Sequence, residues 1–171
     1  NSDHDIKLYL LVPYMQKKIF KPITVQFGFQ VIEGSETKVI QRYTLMQKSS
    51  GADIIMRITS DCPLLDEKTC IDILNEVIQK KYDYGHTDTV NTWPDGLDVE
   101  VFTTAMLYKL FAYSYHSKQT EEHVTWPLKN DPKFFALKYE HPLNPKFKDF
   151  PKLSIDTIED LERVKIWLKN T

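Results

Sequence analysis

Glycine is scarce in this sequence, 5 of 171 residues, and no stretch is rich enough in it to serve as a flexible linker. Cysteine is scarcer still. Cys62 and Cys70 are too few and too close together for a disulfide framework, and no CxxC or Cys/His cluster offers a zinc site, so a reducing compartment is expected. No apolar run approaches the roughly 20 residues that a membrane helix needs. The start, NSDHDIK, lacks the apolar core of a signal peptide, and a cytoplasmic location is the expectation. Charge of one sign is also missing: 22 basic and 24 acidic residues leave a net charge of -2, spread along the chain. Without a basic patch, neither nucleic acid nor an anionic membrane is an expected partner. Residue 1 is Asn rather than Met, which reads as a processed chain or a piece of a longer one.

What is present is enough apolar material for one domain, 42% hydrophobic residues in 20.1 kDa. There is no internal repeat. Helical and strand patterns alternate along the chain. Residues 3–20 have helical composition, divided at Pro13, and residues 23–32 hold a β-branched and aromatic strand. After Gly34-Ser35, the spacing of Val39, Tyr43 and Met46 predicts a helix that Gly51 ends. Residues 53–58 form a short apolar strand of the kind buried on both faces. Asp66 caps a helix with the stripe Cys70, Leu74 and Val77, flanked by Ile71 and Ile78. Leu97, Val99 and Val101 alternate with Asp98, Glu100 and Phe102, the period of a strand with two different faces. Helices are expected over 104–115 and 121–129, with an apolar run at 134–139. Last come a short strand at 153–155 and a capping box, Thr157 to Asp160, which opens a helix carrying Leu161, Val164 and Leu168.

Strands separated by helix-length segments imply an α/β fold with a mainly parallel sheet, in which ligands bind beyond the carboxyl ends of strands. Asp61 and Asp156 each follow a predicted strand. Two such carboxylates converging at one sheet edge would suit a magnesium ion shared with a phosphate group. The alternative is structural: Asp61 in a turn with Pro63, and Asp156 capping the last helix with Thr157, uses that consume most aspartates of this kind. In WPDGLDVEVF the turn Pro94-Asp95-Gly96 precedes a strand with Asp98 and Glu100 on one face. Those carboxylates could meet sugar hydroxyls or a metal, or simply form the wet face of an edge strand. Glu122 and His123 fall in the opening turn of the helix after Thr120, where acidic residues complement the helix dipole; an acid/base or orienting role is the functional reading. Arg57 must be paired if buried, and otherwise could reach a phosphate. Cys62, before Pro63, reads as a small buried filler rather than a nucleophile.

Five motifs in order, GSETKVIQRY, GADIIMRITSDCPLLD, WPDGLDVEVF, EEHVT and SIDTIEDLERV, resemble one family: cytidylyltransferases related to the spore coat polysaccharide biosynthesis protein SpsF. Synthetases of CMP-sialic acid and CMP-Kdo are their relatives. The resemblance runs from Val31 to Lys169. It implies a Rossmann-like α/β three-layer sandwich of the nucleotide-diphospho-sugar transferase type. It also implies transfer of CMP from CTP to a sugar or sugar acid for surface polysaccharide, with Mg2+ and release of pyrophosphate. On that resemblance Asp61 and Asp156 match the metal-binding and catalytic pair, and Gly34 and Ser35 match the turn beside the nucleotide. Asp95, Asp98, Glu100, Glu122 and His123 match the sugar side, and Arg57 belongs to the motif of Asp61. The basic, glycine-containing phosphate loop with which the family begins has no counterpart here, so the resemblance also implies an N-terminally truncated fold. A degenerate, non-catalytic module for assembly or sugar binding is therefore the competing reading. Related synthetases dimerise, and the aromatic segment from Phe102 to Tyr139, with Tyr108, Phe111, Tyr113, Tyr115 and Trp126, is the matching candidate for a homodimer interface.

Overall fold

The computed structural model describes residues 5–88 and 92–170. Its elements in chain order are β1 (Tyr9–Pro13), α1 (Lys17–Phe27), β2 (Gln30–Gly34), α2 (Val39–Ser50), β3 (Ile54–Arg57), α3 (Glu67–Lys80) and β4 (Tyr84–Thr87). They continue with β5 (Glu100–Thr103), α4 (Thr104–Ser114), α5 (Lys118–Glu122), α6 (Trp126–Asn130), β6 (Lys138–His141) and α7 (Ile158–Asn170). The chain divides into two compact units. Asn1–Asp53 joins Thr103–Ala136 in the first, and Ile54–Phe102 joins Leu137–Thr171 in the second.

In the first unit, β1 and β2 pair in parallel with Tyr9 opposite Gln30 and Pro13 opposite Gly34, and α1 is the crossover between them. The helix expected over 3–20 is thus corrected. Its residues 3 and 4 lie outside the described residues, and Tyr-Leu-Leu-Val-Pro is a strand, because its apolar and aromatic side chains gain a ladder with β2. Pro13 stands at the strand's end, where its missing N–H is harmless. The strand expected over 23–32 is displaced as well, since residues up to Phe27 remain in α1 and β2 starts at Gln30. The helix read from Val39, Tyr43 and Met46 is α2; Gly51 closes it in the left-handed region, at φ 68°, with its N–H on the Gln47 carbonyl. Ile40, Tyr43 and Met46 of α2 are buried, as are Met106, Leu107 and Leu110 of α4. Burying each such side chain is worth about 1.5–3 kcal/mol.

The second unit contains a four-stranded sheet in the order β3-β5-β4-β6. β6 runs parallel to β4, whereas β5 runs antiparallel to it. β3 ends the strand order, and only Ile55 of its four residues is buried, so the expected burial on both faces is corrected. Asp66 caps α3 as predicted, its carboxylate accepting from the Thr69 amide at 2.9 Å. Cys70, Leu74 and Val77 pack with Ile73 against Val99 and Val101. A second cluster joins Trp93, Leu97, Phe147 and Leu153, and Trp167 of α7 packs against it. On α7, Val164 is buried while Leu161 and Leu168 are exposed, so Val164 and Trp167 form its inner face rather than the expected three. Among the described residues no helix is long and apolar enough to cross a membrane.

Candidate functional site

The segment after β3 turns at once. The Cys62 amide donates to the Thr59 carbonyl at 3.2 Å, and the buried Cys62 thiol sits 3.7 Å from Asp98 Oδ2 and 3.9 Å from Asp61 Oδ1. Burial pushes that thiol up to about 11, which makes it the filler expected from sequence rather than a nucleophile. Asp61 is half-buried, and its carbonyl accepts from the Ile155 amide at 2.9 Å.

Residues 153–155 are not a ladder strand, contrary to expectation. They are a segment without regular structure, gripped at both ends, by the Ile155 bond to Asp61 and by the amides of Leu153 and Ser154 donating to the Asp95 carbonyl at 2.7 and 3.3 Å. The close approach depends on Gly96. It adopts φ 100°, and a Cβ there would lie 2.2 Å from the Ser154 nitrogen. Three backbone bonds therefore gather Asp61, Asp95 and the residue preceding Asp156.

The cap of α7 leaves the Asp156 side chain out. Thr157 Oγ1 accepts from the Asp160 amide, while the Asp160 carboxylate accepts from the amides of Asp156 and Thr157. Arg163 Nη1 donates to the same Asp160 carboxylate at 2.5 Å, and this bond above all, with the Asp156 amide, holds its titration down at about 2. The Asp156 carboxylate, about half exposed, instead receives Lys152 Nζ at 2.6 Å. That ammonium also stands 3.7 Å from Asp95 and 3.9 Å from Asp160, and its hydrogen bond to Asp156 raises its own titration.

Glu100 is not on a wet face. β5 lies between β3 and β4, and the Glu100 side chain is only 2% exposed. Arg57 Nη1 donates to one of its oxygens at 2.5 Å and Tyr84 hydroxyl to the other at 2.7 Å. Arg57 thus has the buried carboxylate partner that its position demanded. Asp98 closes the turn at Gly96, whose amide donates to it at 3.2 Å.

Four predicted site residues belong to the first unit. Gly34 ends β2 and is buried; Ser35 Oγ accepts from the Lys38 amide at 3.0 Å, just before α2. Glu122 and His123 end α5 instead of opening a helix: His123 is the residue after it, its amide on the Gln119 carbonyl. The expected helix breaks into α5 and α6 because Ser117 caps the first and Pro127 sits in the opening turn of the second. Glu121, which the sequence reading left aside, pairs with Lys38 at 2.8 Å. Lys152 and Tyr84 were also missed. A lysine four residues before an aspartate outside a helix carries no signal, and Tyr84 lies in a strand that the sequence pattern did not reveal.

A profile of the cytidylyltransferase family matches residues 16–169. This chain belongs to the cytidylyltransferase family. Among its relatives, SpsF of Bacillus subtilis, named for spore coat polysaccharide biosynthesis, is 30% identical over 144 residues, 82% of this chain and 58% of that protein. An uncharacterized protein of Methanocaldococcus jannaschii is 31% identical over 135 residues, 79% of this chain and 54% of its own length. The chain thus spans little more than half of each of these curated relatives. A cytidylyltransferase structure from Leptospira borgpetersenii superposes with a TM-score of 0.81 at 29% identity, covering 95% of this chain and 68% of the other. The fold of this family member is therefore the mixed α/β, Rossmann-like fold of nucleotidyltransferases, as expected.

Carboxylate oxygens are hard donors that suit magnesium, which commonly takes one or two of them and completes its shell with phosphate and water. Asp61 and Asp156 carry such oxygens, on segments joined by the backbone bond from Ile155 to Asp61. Among the described residues no group of three or more His, Cys, Asp or Glu is arranged to hold a metal.

Proposed function

We propose that this chain carries the acceptor-side and metal-holding part of a nucleotidyltransferase that moves CMP from CTP to a sugar or sugar acid. The sugar hydroxyl oxygen bonds to the α-phosphorus as the bond to the bridging oxygen breaks; pyrophosphate leaves, and the hydroxyl proton passes to water. The observation that carries this reading is the Asp61 to Ile155 hydrogen bond, 2.9 Å, which ties the segments bearing Asp61 and Asp156 together. Asp61 and Asp156 would hold Mg2+, which when bound neutralises phosphate charge. Asp95 and Asp98, on the turn beside them, would accept hydrogen bonds from sugar hydroxyls, and Glu100 would act through Arg57, which it orients. Gly34 and Ser35 are assigned to the nucleotide, and Glu122 and His123 to the sugar, by the family motifs alone.

Membership of the family and the likeness to SpsF support a role in making activated sugars for surface polysaccharide, in the cytoplasm where CTP is available. A homodimer through residues 102–139 is part of the same proposal; Tyr115 is 72% exposed and Tyr108 41% exposed there, while Phe111, Tyr113 and Trp126 are partly buried. The test is pyrophosphate release from CTP and Mg2+ across a panel of sugars and sugar acids. Release that depends on one sugar supports the reading. CTP-independent sugar binding with no release would support the non-catalytic module instead.

A further inference from the structure

One cation already pairs with Asp156, one of the two carboxylates that the proposed function assigns to a metal. Lys152 Nζ lies 2.6 Å from Asp156 Oδ2 and within 4 Å of Asp95 and Asp160, so it bridges three segments of the second unit. Asp160 is satisfied without it, by Arg163 and by the amides of Asp156 and Thr157. Asp95 and Asp156 are about half exposed, and the ammonium is the cation they share. An oxygen that accepts an ammonium proton at this distance cannot also give that lone pair to a divalent ion, and the two cations repel at close range.

We infer that Lys152 is an internal competitor for the metal: it holds Asp156 Oδ2 and must leave that oxygen for a divalent ion to bind there. Its four-carbon stem is flexible and its side chain is 42% exposed, so it can swing away at little cost. The released ammonium then has an anionic destination in the phosphates that arrive with the ion. Metal loading and triphosphate binding become coupled through one side chain, each favouring the other. The backbone of Lys152 has a separate duty, its carbonyl accepting from Arg163 Nε at 3.2 Å, which a side-chain replacement leaves in place.

This inference rests on Asp61 and Asp156 as the metal holders, and the experiment separates the two. Mn2+ binding is titrated by the EPR signal of the free ion, with and without a non-hydrolysable CTP analogue, for the wild type and for Lys152→Gln, Lys152→Met and Asp61→Asn. The expected result is that both Lys152 variants bind Mn2+ about fivefold more tightly than the wild type without nucleotide, the scale of one partly exposed ion pair. The nucleotide should then strengthen Mn2+ binding less in these variants than in the wild type. If Asp61→Asn weakens binding while both Lys152 variants match the wild type, the competitor role is wrong and the metal reading stands. If Asp61→Asn binds like the wild type, or no variant binds, the metal reading fails and the inference with it.

Discussion

The carbonyl of Asp61 accepts a hydrogen bond from the amide of Ile155, 2.9 Å away, so the residue next to Asp156 is fixed against the turn that follows β3. Two aspartates 95 positions apart in the chain are brought to neighbouring backbone segments by that bond and by the grip of Asp95 on Leu153 and Ser154.

The grip should fail if Gly96 acquires a side chain. Gly96→Ala places a Cβ 2.2 Å from the Ser154 nitrogen and 2.4 Å from the Leu153 carbonyl carbon, at φ 100°. Backbone cannot give way as a side-chain tip can, so a loss of about 3 kcal/mol is expected, from strain together with the separated hydrogen bonds. Gly51→Ala is the control, since φ is 68° there but nothing lies within 4 Å of the added carbon. It should cost about 1 kcal/mol. Urea midpoints of the two variants check the difference.

Arg57 and Glu100 form a charged pair within the four-stranded sheet, their side chains 17% and 2% exposed. Arg57→Met removes the guanidinium that faces a buried carboxylate and should destabilise by about 3 kcal/mol. Glu100→Gln keeps an oxygen for the Tyr84 hydroxyl and should cost less. A double-mutant cycle on denaturant midpoints would give a coupling energy well above that of a surface pair.

Both thiols are pushed by burial up to about 11, above the ordinary cysteine value. The folded state therefore holds neutral thiols while the unfolded chain ionises them from about pH 8.5 upward. Their contribution to stability is complete below that value and is lost as pH rises toward 11. Native protein at pH 8 should react with a disulfide reagent about a hundredfold more slowly than urea-unfolded protein, following the thiolate fraction. Equal rates would show that one of the thiols is open to solvent.

Much of this architecture can be read from the chain. The helix between Val39 and Gly51, the Asp66 cap and the Thr157 to Asp160 box follow from local chemistry that tertiary packing did not override. β1 was misread because Tyr-Leu-Leu-Val-Pro has no period of its own, and only its ladder with β2 decides its form. β4 escaped notice since Tyr-Gly-His-Thr is four residues long and buried throughout, with no alternation to see. Of the candidate site, the motifs named the aspartates, but the partners of each across space did not show. Glu100 is buried between Arg57 of β3 and Tyr84 of β4, and sequence cannot say which strands will flank β5. Lys152 acquires its meaning only when Asp95, Asp156 and Asp160 surround it.

Asp61 and Asp156, on the proposed function, hold the ion through which CTP is bound. Calorimetric titration of CTP into this chain with Mg2+ present, for the wild type and for Asp61→Asn and Asp156→Asn, tests it most directly. The expected result is saturable, Mg2+-dependent binding that each substitution weakens about 10- to 100-fold, the loss typical when a metal site loses one of its supporting groups. Binding of equal strength in all three proteins, or binding indifferent to Mg2+, would contradict it.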